Sequence, residues 1–325
     1  MIHPRQVASV LLATCVLMLC SCATHGPLLE ASSRVVELDA TPFFPQARNE
    51  CGPAALATVL GASHVEATPQ ALEKRVYLPG RRGSLQIEMQ AAPRAFGRLS
   101  YRIEPELAAI VHELDAGRPV LVLHNYGLPF WPRWHYAVVV GYDGANDRVV
   151  LRSGTKRRQL MSASNFMRAW DNGGRWALVI LQPGELPVSP DKRRYLESAA
   201  AFEGVASPQD AWRGFDAAVR LWPDDAVALI GRGTASYRRG ELREAATDYR
   251  AALALDASQV AARNNLAVVL LESGCVGQAR EQILRIDTAR LDARMQAEIT
   301  DTLRQINARP TSQGNAAGCA APAGE

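Results

Sequence analysis

The run Asn49-Glu50-Cys51-Gly52-Pro53-Ala54-Ala55-Leu56 places a thiol where a helix is expected to begin, and His135 stands far downstream at the head of an apolar run. Those residue types are the parts of a nucleophile and its base. Helix N-termini leave backbone N–H groups unsatisfied and carry about half a positive charge, so a thiol there is expected to ionise more readily than a free one. Pro53 fits such a first turn, where no amide donor is needed. Cysteine–histidine catalysis requires the side chains to meet in space rather than in sequence, which this separation permits. Read without chemistry, the same pair is a small buried helix residue and a satisfied strand histidine.

Bringing these side chains together takes a helix and a sheet. Residues 34–38 read as a short strand, 51–60 as a helix and 69–76 as a second helix, and 85–96 and 105–114 keep the three-to-four spacing of further helices. The texture then changes. Residues 119–123, 135–142, 148–152 and 176–181 are apolar, β-branched runs bounded by turn residues, and Asp143-Gly144-Ala145-Asn146-Asp147 reads as a hairpin turn between two of them. Helices first and strands after predict an α+β domain over 34–183, with its helices on one side of an antiparallel sheet.

From residue 192 the chain turns helical and repetitive. Lys192, Ala226 and Val260 open three blocks at the 34-residue period of tetratricopeptide repeats. In the middle block Leu229, Gly233, Gly240, Ala245, Tyr249, Ala252 and Leu253 occupy that family's small, turn and large positions. The third block repeats the pattern with Leu266, Ala267, Leu270, Gly274 and Ala279, whereas the first is degenerate. Small residues let paired helices approach and large ones fill the groove between repeats, so an all-α solenoid is expected over 192–306, closed by a cap helix from 292. Residues 307–325, rich in Pro, Gly and Ala, are expected to be a disordered tail.

At the other end, a short basic start precedes the apolar run 7–19 and then Leu19-Cys20-Ser21-Cys22, which describes a secretory signal over 1–21 rather than a membrane span. The last four residues resemble a bacterial lipobox. That resemblance implies that Cys22 becomes a lipidated N-terminus, and Ala23 after it implies sorting to the outer membrane, facing the periplasm. The alternative is a cleaved signal without a lipid. Of six cysteines, this leaves Cys51, Cys275 and Cys319 as thiols. In an oxidising compartment, pairing Cys275 with Cys319 is the choice that spares Cys51. A net charge of +3 over 325 residues, without a long basic run, gives nucleic-acid binding little support. No pair of cysteines or histidines has metal-ligand spacing, and no cofactor is implied.

Phe44-Pro45-Gln46, Asn49 to Ala54, Gly83-Ser84-Leu85 and His135-Tyr136-Ala137-Val138-Val139-Val140-Gly141-Tyr142 together resemble the double-glycine-leader, bacteriocin-processing class of papain-like cysteine peptidases. The resemblance covers roughly residues 41–181. It implies Cys51 as nucleophile, His135 as general base, and Gln46 as the side-chain amide that joins the Cys51 backbone N–H in an oxyanion hole. The sequence departs from the family at the third member, where an aspartate or asparagine is usual and Ser153 stands nearest. A serine can orient an imidazole but supplies no charge. Asp143 and Asp147 sit in the hairpin turn, away from the expected place.

His124 ends an apolar strand and is expected to be structural or a rim residue. The aromatic side chains of Tyr126, Phe130, Trp131 and Trp134 could form an apolar wall for an extended peptide, or could pin their loop onto the sheet. Arg152, Lys156, Arg157 and Arg158 form a basic edge expected to be mostly solvated. The reading is a lipid-anchored periplasmic cysteine peptidase acting on a peptide or protein, with repeats that bind a partner or a substrate segment. One rival is a degenerate, peptidase-like binding module that works through its repeats. Another keeps the thiol chemistry but directs it at a non-peptide acyl group.

Overall fold

The computed structural model describes residue 29 and residues 34–46, 50–128 and 130–309. The signal segment, Cys22, Asn49, Cys319 and the tail from residue 310 lie outside these. After the short strand β1 (Val35–Glu37), helix α1 (Cys51–Ala62) is buried without interruption from Gly52 to Leu60. A helix apolar all round belongs inside a domain rather than on its surface. It ends at Ser63, whose hydroxyl donates to the Leu60 carbonyl, and at His64, which takes a left-handed φ of 62°. Helix α2 (Pro69–Val76) starts on Thr68, whose hydroxyl accepts from the Ala71 N–H.

The helix expected over 85–96 is instead α3 (Gln86–Ala91) followed by a 3-10 turn, Ala92–Phe96, because Pro93 cannot donate to the α-helical ladder. A strand not foreseen, β2 (Leu99–Arg102), comes next, then α4 (Leu107–Asp115), β3 (Val120–Asn125), β4 (Trp134–Asp143) and β5 (Arg148–Ser153). The hairpin partner β6 (Lys156–Ser162), helix α5 (Ala163–Asn172) and β7 (Ala177–Leu181) complete the sheet region. The strands pair antiparallel in the order β2-β7-β3-β4-β5-β6, and β1 pairs with the far end of β4. Gly141 is required at that second contact, since a Cβ there would come within 2.3 Å of the Val36 carbonyl oxygen.

The expectation of helices on one side of the sheet is corrected. Leu121, Leu123, Tyr136, Val138 and Val140 face α1 to α3, whereas Val120, Val122, Ala137 and Val139 face α4, α5 and the first helices of the repeat region. Buried on both faces, β3 and β7 are apolar without alternation. The expected basic edge is itself the strand β6, whose charged residues suit an exposed sheet margin. Arg152 is no part of a solvated face. It is buried, and its guanidinium donates to the Arg157 and Asp39 carbonyls.

The repeat helices α6 (Lys192–Glu203), α8 (Ala226–Arg238) and α10 (Val260–Glu272) begin at the three 34-residue marks, and each is followed by its partner, α7 (Pro208–Leu221), α9 (Leu242–Leu255) and α11 (Val276–Leu284). The final helix, α12 (Ala293–Asn307), is capped by Asp292 and runs one residue into the expected tail, to Asn307. Cys275 is disulfide-bonded and Cys51 is free. No helix of the described residues is long and apolar enough to cross a membrane.

Candidate active site

Cys51 is the first residue of α1, and no side chain caps that end. Its sulfur lies against three backbone N–H groups, those of Tyr136, Gly52 and Cys51 itself. Tyr136 follows His135 on β4, so the central helix and the sheet deliver thiol and imidazole to one end of the structure. Gly52 is required for this approach, because a Cβ there would meet Ser84 Oγ at 2.3 Å. Ser84 in turn accepts from the Tyr136 hydroxyl through its carbonyl, at 3.3 Å. The motif around residues 83–85 is thus the floor on which the cysteine turn rests.

His135 is half-buried, and its Nε2 lies 2.9 Å from Ser153 Oγ, the one hydrogen bond its ring makes among the described residues. Ser153 ends β5 and is itself buried. The next residue, Gly154, turns the chain at φ 60°, and its carbonyl accepts the Gln46 backbone N–H at 3.0 Å. That contact ties Gln46 to the Ser153 end of the sheet. Asp143 and Asp147 lie at the opposite end of the β4–β5 hairpin. Asp143 accepts from Asn146, and Asp147 accepts from the Leu29 N–H.

Burial dominates the electrostatics. It pushes the Cys51 thiol above its ordinary pKa, although the three N–H groups pull the other way, and it pushes the His135 imidazole below its own. Burial thus works against the easily ionised thiol expected at a helix start, and the three N–H groups work for it.

His124 is fully buried, as a structural residue would be, and it lies directly across the β3–β4 ladder from His135. Its Nδ1 is 2.8 Å from the Tyr126 hydroxyl, and burial, followed by the nearby His135, takes its pKa to about 3. The Tyr126 ring also leans over His135 at 5.8 Å between centroids. The sequence reading missed this pairing. Its signal was available, since both histidines sit at the facing ends of adjacent apolar runs.

Beyond Tyr126, the aromatic loop is held by polar groups. Asn125 Oδ1 accepts the Gly127 and Arg133 N–H groups, and Leu128 and Trp131 form a bridge that extends the hairpin beyond the sheet. Phe130 and Trp131 are 82% and 75% exposed and do not pin the loop, whereas the Tyr126 ring rests on His124 and His135. No group of three or more potential metal ligands occurs among the described residues.

Residues 38–177 match the model of the Peptidase_C39 like family, and residues 233–274 match that of the TPR repeat. Among solved structures, the chain is similar to a C39-like peptidase from Bacillus anthracis at 16% identity and a TM-score of 0.39, over 46% of this chain and 98% of that one. It is also similar to the peptidase domain of Streptococcus ComA, a bifunctional ABC transporter, at 20% and 0.37, over 44% and 98%. The Yersinia enterocolitica translocator chaperone SycD is similar at 18% and 0.33, over 35% and 82%. No curated protein matches the chain.

Proposed function

The chain carries a Peptidase_C39-like domain followed by a TPR repeat region, and from that premise we propose that it is a cysteine peptidase cleaving peptide bonds through a Cys51 thioester. The observation that carries this reading is the thiol seated against the N–H of the residue after His135, while His135 Nε2 is held by Ser153. With Nε2–H donating to Ser153, Nδ1 keeps a lone pair to take the thiol proton. The sulfur then attacks the peptide carbonyl, and the Cys51 N–H and the Gln46 amide donate to the developing oxyanion. His135 returns the proton to the leaving amine, and water, activated by the same ring, hydrolyses the thioester. With the thiol pKa raised and the imidazole pKa lowered by burial, proton transfer is expected to accompany attack rather than precede it.

The TPR region supplies a surface for a protein partner or a substrate segment, and Cys22 would carry the lipid that holds the protein to the outer membrane, facing the periplasm. Cys22→Ser is then expected to move the protein from the membrane fraction to the soluble one, and unchanged fractionation would remove the anchor from the proposal.

The rival, a binding module without turnover, draws on one observation: the orienter Ser153 brings no charge to the imidazolium. The two separate on a peptide mixture read by mass spectrometry. The peptidase yields cleavage products and a trapped acyl–Cys51 adduct that vanish in Cys51→Ala and His135→Ala, while Gln46→Ala keeps an alkylatable thiol but loses about a hundredfold or more in turnover. Cleavage that persists in Cys51→Ala, or none by the parent protein, would sink the peptidase reading.

A further inference from the structure

On the side of the molecule away from the β5–β6 hairpin, β2, the 3-10 turn Ala92–Phe96 and the first repeat helix α6 enclose a cavity of about 410 Å³. Four guanidiniums line it, those of Arg94, Arg102, Arg193 and Arg194, against the single carboxylate of Glu197, with the Gln90 and Ser198 side chains between them. Two of the four are answered within the protein. Arg193 pairs with Glu197 at 3.2 Å, and Arg194 pairs with Glu104 at 2.7 Å. The guanidiniums of Arg94 and Arg102 have no hydrogen bond or ion pair among the described residues. Arg94 is partly buried, and burial lowers its pKa, the direction expected of a cation that has lost water without gaining a partner.

A cluster of arginines on a convex surface is ordinarily a solvated face. Here the arrangement is concave and joins the sheet edge to the repeats, and its two unanswered charges come from different elements. We propose that this cavity binds a phosphate group carrying two negative charges, held by the Arg94 and Arg102 guanidiniums. The planar fork of arginine matches phosphate oxygens two at a time, and a dianion matches the number of unanswered cations. The occupant would also draw β2 and α6 together. Two sources present the same chemistry, a soluble phosphate ester and a lipid headgroup bearing a phosphate monoester. The proposal stands whether or not Cys51 is catalytic.

The test is calorimetric titration of the whole protein with inorganic phosphate at constant ionic strength, alongside co-sedimentation with phosphatidylcholine vesicles with and without phosphatidic acid. Saturable phosphate binding is expected, weakened tenfold or more in Arg94→Gln/Arg102→Gln and unchanged in Arg243→Gln, which removes the same charge from an exposed repeat helix. Should the double variant lose its native melting transition, Arg102→Lys serves instead: it keeps the charge, lacks the fork and is expected to weaken binding several-fold. Vesicle binding that requires phosphatidic acid and falls in parallel identifies a headgroup, and phosphate binding alone identifies a soluble ester. No saturable binding of either probe, or equal weakening by Arg243→Gln, overturns the site.

Discussion

Burial decides how Cys51 and His135 behave, and it does so in opposite directions for an acid and a base. The thiol pKa is raised, so the alkylation rate of Cys51 by iodoacetamide should climb through and beyond pH 9 without the plateau at pH 5–8 that a preformed thiolate–imidazolium pair would give. The imidazole pKa is lowered, so the acid limb of turnover should lie below the ordinary histidine value near 6.5. Ser153→Asp places a negative charge beside Nε2 and should reverse this, raising the histidine pKa and bringing the plateau back; identical profiles in the two proteins would show that Ser153 does not orient the ring. His124 makes a separate stability prediction. Its folded pKa of about 3 lies below the unfolded value, so the unfolded chain binds the extra proton and stability is lost as pH falls through 6.5. The loss approaches about 1.4 kcal/mol per pH unit down to the folded pKa, and urea unfolding of His124→Phe at pH 7 and pH 5 should show a smaller pH difference than the parent.

At the scale of elements, the turn that presents Cys51 depends on close contact with residues 83–85. Gly52→Ala drives a methyl group into Ser84 and is expected to lower Cys51 reactivity and to cost about 1–3 kcal/mol, while Gly80→Ala, where no atom lies near, should cost far less. How far such elements could be read from sequence depended on what stabilises them. Helix α2 has Thr68 as its cap and Pro69 in its first turn, and the repeat helices carry a fixed period, so their starts were legible. Strand β6 was not, because Lys156-Arg157-Arg158 has no apolar alternation and becomes a strand by pairing with β5 across the Gly154 turn. Strand β2 is four residues hidden among helices, and its identity comes from its pairing with β7. The two-sided layering is written in the apolar run that opens β3, which signals burial on both faces. In the site, a helix start pointed to Cys51 and a strand head to His135, whereas Ser153 was reached only through the family resemblance. The pairing of His124 with His135 was signalled by their places at the facing ends of adjacent apolar runs, whereas the Tyr126 ring contacts are side-chain placements that no spacing encodes.

One apolar cluster runs from a face of the sheet into the first repeats. Tyr195, Phe202 and Phe215 pack in the same apolar cluster as Tyr101, Val120 and Val139, so the repeats complete one face of the sheet instead of hanging from a linker. Besides the Arg194–Glu104 ion pair, two hydrogen bonds fasten the crossing. The Tyr101 hydroxyl accepts the Asp191 N–H at 2.9 Å, and the buried Glu113 accepts the Val188 N–H at 2.8 Å while pairing with Arg118 at 2.6 Å. Thermal unfolding should therefore be one cooperative transition for both parts. Glu113→Ala removes the buried carboxylate that pairs with the half-buried Arg118 and leaves the Val188 N–H unanswered, which typically costs about 1–3 kcal/mol and corresponds to roughly 2–9 °C in a chain of this size. Glu113→Gln keeps an acceptor for Val188 and should fall between that variant and the parent, whereas Tyr101→Phe loses a single neutral hydrogen bond and should cost about 1 kcal/mol. Calorimetry on the four proteins checks the order. If Glu113→Ala instead splits the melt into two separate transitions, the crossing contacts, rather than the shared apolar core, are what couple the sheet to the repeats.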